Sequence, residues 1–303
     1  MNVGLKPYNC IVVCGPTASG KTRLGVQIAQ SVNGEIISVD SRQVYRFMDI
    51  GTGKDLQEYT TEKGSVPCHL IDIAHPSTIY TLSDYQKDFY NCFDDIIKRG
   101  KTPVAVGGTG LYLEAVLKQY AIPKVKENPV LRSQLILLSK QELQEMLKRE
   151  EPDRYEKTDL SSKKRIVRAL EVARSEDGQG ETILNPPKID PLILYVVRDR
   201  TILRERIEKR LLDRLQNGMV DEVKNLLGMG VTPERLHLMG MEYRQICRYL
   251  QKEISYDEMF VTLRQEIFHL AKRQNTWFRG MGRRGLEVRE VRGGEEQEQN
   301  FVL

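Results

Sequence analysis

The spacing of apolar and polar positions predicts alternating strands and helices in the first part of the chain. Four short apolar runs, at residues 10–14, 35–39, 103–106 and 192–197, have the composition of buried strands. Residues 69–73 form a further strand candidate. Helical periodicity lies between these runs, at residues 24–32 and 82–99. Strands that alternate with helices predict an α/β protein with a parallel sheet.

A second kind of pattern interrupts this alternation. Between residues 129 and 174 the apolar positions have helical spacing, and a serine pair, Ser161 and Ser162, is placed to cap a basic helix. We therefore expect an all-helical insertion at residues 122–184. It would divide an α/β core formed by residues 1–121 and 185–303, whose last part is mostly helical.

The most specific local motif follows the first apolar run. It matches the phosphate-loop pattern G-x-x-x-x-G-K-[ST] at every fixed position and lies between a predicted strand and a predicted helix. Backbone N–H groups at such a helix start converge on an anion, Lys21 would reach an outer phosphate, and Thr22 would ligate Mg²⁺. A glycine-rich turn without a ligand is the alternative. The expected diphosphate-binding residues are Gly15, Pro16, Thr17, Ala18, Ser19, Gly20, Lys21 and Thr22.

Two further polar segments follow predicted strands. Asp40 comes directly after the second strand, and Thr109 lies in a second glycine turn after the strand at residues 103–106. Ligands of open α/β sheets bind outside the carboxyl ends of the strands, so Asp40 and the phosphate loop should face one crevice. Asp40 has a purely structural alternative, as the cap of the following segment.

Composition narrows the class of partner. The 303 residues carry a net charge of only +4, but basic side chains cluster at residues 161–174 and 264–289. Such clusters favour a polyanionic partner, although solvated helix faces would also explain them. The five cysteines include no C-x-x-C pair, and neither a membrane-spanning run nor a signal peptide is present. We expect a cytoplasmic protein without a membrane partner.

Several segments together resemble one family, the tRNA dimethylallyltransferases, over about residues 10–279. The matching segments are GPTASGKT at Gly15, DSRQVYRFMDIGTGK at Asp40, HLIDI at His69, VGGTGLYL at Val106, KRIVRALEV at Lys164 and AKRQNTWFR at Ala271. The resemblance implies a P-loop NTPase-like α/β core with a helical tRNA-binding insertion. It also implies transfer of a dimethylallyl group from dimethylallyl diphosphate to N6 of the adenosine 3′ of the anticodon (position 37), with Mg²⁺ as cofactor and diphosphate as the second product.

The resemblance also assigns roles to residues. Asp40 matches the general base, Lys21 and Arg210 match cations that contact the diphosphate, and Thr109 matches a donor near the breaking bond. The implied partner is the tRNA anticodon stem-loop, and the protein is expected to be a monomer. Arg165 and Arg168, which lie three residues apart, would bind adjacent phosphates. The implied tRNA-binding residues are Asp40, Ser41, Arg42, Gln43, Thr109, Arg132, Lys164, Arg165, Arg168, Tyr243, Arg244, Lys272, Arg273 and Gln274.

The chain departs from the family in segments that the family uses to handle tRNA. The family commonly has glycine at Phe47, Ala-Lys-Pro at Gly53-Lys54-Asp55, arginine at Met239 and glycine at Glu242. It has Thr-Arg-Gln where this chain has Ile267, Phe268 and His269. We expect these changes to alter RNA contacts, so that restoring the family residues would widen the range of tRNAs accepted.

Three other functions compete with this interpretation. They are a small-molecule P-loop kinase, an isopentenyltransferase that acts on free adenine nucleotide, and a diverged paralogue that binds RNA without catalysis. The basic helix argues against the first two, and the retained Lys21, Thr22, Asp40 and Thr109 argue against the third.

Overall fold

The computed structural model describes residues 8–62, 64–123, 125–175 and 185–292. The chain forms two compact units. One combines Met1–Gln119 with Pro187–Leu303, and the other is Tyr120–Pro186. The expected end of the insertion, at residue 184, lies outside the described residues.

A parallel six-stranded sheet is the centre of the larger unit. The described strands pair in the order β5-β2-β6-β1-β7-β8, and every pairing is parallel. A short antiparallel hairpin, β3–β4, lies outside this sheet. This arrangement confirms the predicted α/β class. The strands are β1 Cys10–Cys14, β2 Gly34–Val39, β3 Thr60–Thr61, β4 Gly64–Ser65, β5 Cys68–His69, β6 Thr102–Gly107, β7 Pro191–Val197 and β8 Val288–Arg292.

Helices of the larger unit pack on the sheet and extend beyond it. Leu24 and Val26 of the first helix share a buried cluster with Val104 and Val106 of β6. The helices after β7 form a second buried cluster, which includes Leu211, Met239 and Tyr243. The helices of this unit are α1 Lys21–Ser31, α2 Leu82–Lys98, α3 Gly110–Leu117, α8 Arg200–Gln216, α9 Met219–Gly228, α10 Pro233–Met239, α11 Met241–Leu250 and α12 Tyr256–Met281.

The described part of the smaller unit contains four helices and no strand, with its own buried cluster around Leu143, Ile166 and Leu170. Its helices are α4 Pro129–Leu135, α5 Lys140–Glu150, α6 Pro152–Lys157 and α7 Lys163–Ala173. Ser162 is the N-cap residue of α7, but its side chain makes no capping hydrogen bond, so the predicted serine cap is wrong in its chemistry.

One predicted strand is largely absent. Of residues 69–73, His69 alone pairs with the sheet, as part of β5. Leu70 and Asp72 have left-handed backbone angles, with φ of 62° and 57°, which no strand accommodates. Among the described residues, no helix combines the length and the apolar character needed to cross a bilayer.

The register of three adjacent strands positions the functional segments. The last residue of β6, Gly107, lies opposite both Cys14 at the end of β1 and Val39 at the end of β2. A Cβ atom at Gly107 would lie 2.1 Å from the Val39 carbonyl oxygen, so this close approach requires glycine. The loops that follow β1, β2 and β6 therefore start side by side at one edge of the sheet.

Candidate active site

These three loops line a cavity of about 850 Å³, which helices of the same unit complete. Lys21, Asp40 and Thr109 all contribute to its wall, as do Arg210 from α8 and Gln274 from α12. The structure therefore brings together the four residues expected to be catalytic, Asp40, Thr109, Lys21 and Arg210.

A side chain from a distant part of the sequence, Gln274, fixes the phosphate loop by a hydrogen bond. Gly20 has a φ of +93° and directly precedes α1, so the start of that helix faces the cavity. The Thr17 N–H donates to Gln274 Oε1 at 2.8 Å. Gln274 Nε2 in turn donates to the Gly108 carbonyl at 3.0 Å. Gln274 thus joins the two glycine turns, a positioning role in addition to the predicted RNA contact.

Cations surround this loop and donate to neutral oxygens. Lys21 Nζ lies 3.4 Å from the Pro16 carbonyl oxygen. Arg206 Nε donates to the Ala18 carbonyl at 3.0 Å, and Arg210 donates to Thr17 Oγ1. Burial and the neighbouring charge of Arg210 lower the pKa of Lys21 to about 8. Burial and the charge of Arg214 likewise lower the pKa of the Arg210 guanidinium. Closely spaced, desolvated cations favour an anionic ligand at this end of the cavity.

Asp40 caps the turn after β2 through one carboxylate oxygen, and its role as a general base stays a prediction. Its Oδ1 atom accepts the backbone N–H of Arg42 at 2.8 Å and that of Gln43 at 3.4 Å, and so stabilises the turn after β2. Among the described residues, no hydrogen bond reaches the second oxygen, Oδ2. Thr109 Oγ1 accepts the Ser41 N–H at 3.2 Å, which leaves the hydroxyl proton of Thr109 to be donated elsewhere.

A turn at residues 49–55 forms another wall of the cavity. The Glu222 carboxylate accepts the backbone N–H groups of Asp49 and Ile50, each at 2.7 Å, and that of Gly51 at 3.0 Å. Tyr243, expected to contact tRNA, is only 1% exposed and donates its hydroxyl to Glu222 at 2.8 Å. Tyr243 also lines the cavity and supports the turn through Glu222, and its contact with tRNA stays a prediction.

The remaining residues predicted to bind tRNA occupy different environments. Ser41, Arg42, Gln43 and Arg273 line the cavity with Asp40, Thr109 and Gln274. Arg244 pairs with Glu266 at 2.7 Å, and Lys272 is exposed.

In the helical unit, Arg132 and Arg168 both pair with the buried carboxylate of Glu171. Arg165 is 62% exposed, pairs with Asp159, and precedes the buried Ile166; the adjacent Lys164 is also exposed. Arg165 and Arg168 thus differ in exposure and in partner, and their contacts with tRNA phosphates stay a prediction.

Among the departures from the family, Met239 and Ile267 pack in the buried helical cluster and also line the cavity. These two residues are 0% and 8% exposed. The Arg204 guanidinium lies 4.8 Å from the centre of the Phe268 ring. Phe47 has a φ of 63°, a left-handed angle that favours glycine. Arginine at position 239 would place a charge among buried side chains at the cavity wall, and the wider tRNA choice expected from restoring it stays a prediction.

Three residues of this site were missed in the sequence. Arg206 and Arg214 line the cavity with Arg210, and Glu222 holds the turn at residues 49–55. The spacing of four between Arg206, Arg210 and Arg214 places them on one face of a helix, a signal that could have identified all three. No local pattern indicates Glu222, since the backbone N–H groups that it binds lie more than 170 residues away.

Comparison with known proteins supports one family. Residues 43–281 match the model of the IPP transferase family, and residues 8–64 match that of the isopentenyl transferases. The chain is 47% identical to tRNA dimethylallyltransferase 2 of Syntrophotalea carbinolica, over 97% of each protein. It is 46% identical to tRNA dimethylallyltransferase 1 of Syntrophus aciditrophicus, over 95% of this chain and 94% of that protein. The crystal structure of a full-length tRNA isopentenylpyrophosphate transferase from Bacillus halodurans superposes with a TM-score of 0.69 at 30% identity, covering 96% of this chain and 93% of that chain.

Proposed function

The chain belongs to the IPP transferase family, and from this premise we propose that it transfers a dimethylallyl group from dimethylallyl diphosphate to N6 of an adenosine in tRNA. One observation carries the proposal. A single cavity joins a cation-lined phosphate loop, which follows β1, to a carboxylate, Asp40, which follows β2; β6 lies between these two strands in the sheet. Prenyl transfer requires both groups, because a diphosphate must leave while an amine attacks and loses a proton.

The cationic end of the cavity binds the leaving group. Lys21, Arg210 and the N–H groups at the start of α1 surround the diphosphate oxygens. As the allylic C–O bond breaks, negative charge grows on the diphosphate, and these fixed donors stabilise it most in the transition state. The Thr109 hydroxyl donates a hydrogen bond to the oxygen of the breaking C–O bond.

Asp40 acts on the nucleophile. The exocyclic amine of adenine is weakly nucleophilic, because its lone pair is delocalised into the ring. The Asp40 Oδ2 atom accepts the proton from N6 as the new C–N bond forms, while Oδ1 keeps its hydrogen bonds to the turn. The target base leaves the stack of the anticodon loop to reach Asp40, as chemistry on a base requires.

The residues also fit a magnesium ion. The cavity contains the Thr22 hydroxyl and the Asp40 carboxylate, and Mg²⁺ is commonly bound by one or two protein oxygens together with substrate phosphates. Thr22 would hold the ion, which supplies further charge neutralisation for the diphosphate. Among the described residues, no cluster of three or more His, Cys, Asp or Glu side chains forms a separate metal site.

The helical unit is the proposed holder of the anticodon stem-loop. Lys164 and Arg165 are exposed on α7, where they are available to backbone phosphates. The adenosine 3′ of the anticodon is the target that the resemblance to the tRNA dimethylallyltransferases implies.

The experiment is an in vitro transfer assay with dimethylallyl diphosphate and unmodified tRNA. We expect mass spectrometry of the digested tRNA to show one adenosine, 3′ of the anticodon, with an added C₅H₈ unit. The Asp40→Asn variant should bind tRNA normally while its single-turnover rate falls by about 10²- to 10⁴-fold.

The alternatives give other results in the same assay. Modification of free AMP but not tRNA would identify an adenine nucleotide enzyme. Binding of tRNA without any product would identify a paralogue without catalysis. Either result would overturn the proposal.

A further inference from the structure

Arg214 occupies a position that the reaction as described does not use. It lies one helical turn after Arg210 on α8, on the same face, and its side chain is 15% exposed. Its Nη2 atom donates to Asp55 Oδ2 at 3.2 Å. Arg214 is therefore a largely buried cation between the diphosphate end of the cavity and the turn at residues 49–55.

The turn is shaped around this guanidinium. Gly53 has a φ of +66°, and a Cβ atom there would lie 1.9 Å from Arg214 Nη2 and 2.7 Å from its Cζ. In this chain glycine leaves the space that the guanidinium fills, and it adopts the φ of +66° without strain. The other side of the turn is fixed by Glu222 and by Lys54, which pairs with Asp49 at 2.5 Å.

The same turn holds a residue of the base pocket. The Gly53 carbonyl accepts Gln43 Nε2 at 2.9 Å, and Gln43 Oε1 accepts the Ser38 hydroxyl at 3.0 Å. The backbone N–H of Gln43 also points to Asp40 Oδ1, at 3.4 Å. A continuous set of contacts therefore runs from Arg214 through Gly53 to Gln43 and Asp40.

We propose that Arg214 is a positioning residue that couples the two substrates, a step that rests on the proposed function. A diphosphate beside Lys21 and Arg210 attracts the Arg214 guanidinium, which packs directly on Gly53 and pairs with Asp55. The turn and Gln43 are thereby fixed in the arrangement that receives the adenine. Each substrate then strengthens the binding of the other by the same factor, because coupling free energies are reciprocal.

The test measures binding without chemistry. The dissociation constant of an anticodon stem-loop RNA is determined by fluorescence anisotropy, with and without saturating inorganic diphosphate and Mg²⁺. For the unchanged protein we expect diphosphate to tighten RNA binding by about 5-fold or more, within the usual range of coupling energies. In Arg214→Ala the two RNA dissociation constants should agree within about twofold.

Two further variants separate coupling from general damage. Asp55→Asn keeps the size of the side chain but removes the ion pair, so it should weaken the coupling without unfolding the protein. Arg206→Ala removes another cation of the same helix face, one that contacts the phosphate loop and not the turn. It should weaken diphosphate binding while the coupling at saturating diphosphate remains.

The outcomes decide the proposal. Coupling that persists unchanged in Arg214→Ala and Asp55→Asn, or is absent in the unchanged protein, overturns it. If the unchanged protein modifies tRNA but one of these two binding results is found, the inference about Arg214 fails while the proposed function stands. If no transfer occurs with any tRNA, the proposed function fails independently of these binding measurements.

Discussion

The arginines of the catalytic cavity and those of the helical unit differ in their partners. Around the phosphate loop, Arg206 and Arg210 donate to a backbone carbonyl and a threonine hydroxyl. In the helical unit, Arg132 and Arg168 converge on one buried carboxylate, Glu171. A cation that faces neutral oxygens retains attraction for an incoming anion, whereas a cation already paired with a buried carboxylate mainly stabilises its fold. The number of basic residues in a segment therefore does not identify its role.

The strongest test of this contrast is the removal of the phosphate-loop lysine. Lys21→Ala should lower the single-turnover rate by about 10²- to 10³-fold, because one fixed charge on the leaving group is lost in the transition state. Diphosphate affinity should fall as well. The thermal midpoint should change little, since Lys21 donates to a single carbonyl at 3.4 Å. A large loss of stability with an intact rate would contradict the assignment.

In the helical unit the opposite effect is expected. Glu171→Gln removes the negative charge between Arg132 and Arg168 and should destabilise that unit by about 2–3 kcal/mol. We expect less than the full cost of breaking a buried pair, because the two arginines are 30% and 37% exposed. Urea unfolding of the full chain, followed by limited proteolysis within residues 120–186, measures this change.

The matched control is the more exposed pair of Arg174 and Glu150. Glu150→Gln should cost less than about 1 kcal/mol, as is usual for surface pairs. Neither variant should alter the affinity for inorganic diphosphate. A Glu171→Gln protein as stable as the unchanged chain would show that this cluster is not structural.

The pH dependence of diphosphate binding gives a smaller effect. The pKa of Lys21 is lowered to about 8, so this side chain is charged below pH 8 and neutral above it. Bound diphosphate favours the charged form. The affinity for diphosphate should therefore have its full value below pH 8 and fall by up to about tenfold per pH unit above pH 8. In Lys21→Arg the guanidinium keeps its charge, and calorimetric titrations should give a nearly flat profile from pH 7 to 9. Equal profiles would mean that another group titrates.

Local sequence patterns predicted the parts of the site that depend on short-range geometry. Apolar runs gave β1, β2, β6 and β7, and a motif of eight residues gave the phosphate loop, because consecutive residues determine both features. The edge strand β8 was not predicted, since its exposed, charged residues show no apolar run. Residues 69–73 were wrongly predicted as a strand for the opposite reason: their apolar side chains occupy a turn with left-handed backbone angles.

Contacts between distant segments could not be predicted in this way. Gln274 was expected to bind RNA, yet it also joins two glycine turns more than 160 residues earlier. Tyr243 and Glu222 support the turn at residues 49–55 through hydrogen bonds that no spacing rule indicates. Likewise, the charge of the basic helix was evident in the sequence, but the ion pair between Arg168 and Glu171 was not.

The smallest expected effect concerns Arg165, the exposed arginine of the basic helix. Its pair with Asp159 is largely in solvent, with side chains 62% and 43% exposed, so a phosphate can replace Asp159 at little cost. Arg165→Ala should raise the dissociation constant for tRNA a few-fold and reduce the slope of log K against log salt by about one. Arg174→Ala, whose arginine pairs with Glu150 at the end of the same helix, is the matched control and should leave the slope unchanged. Filter-binding titrations at several salt concentrations measure both slopes. Equal salt slopes in the two variants would mean that Arg165 does not contact the tRNA backbone. The proposal that the helical unit binds the anticodon stem-loop would then lack its main support.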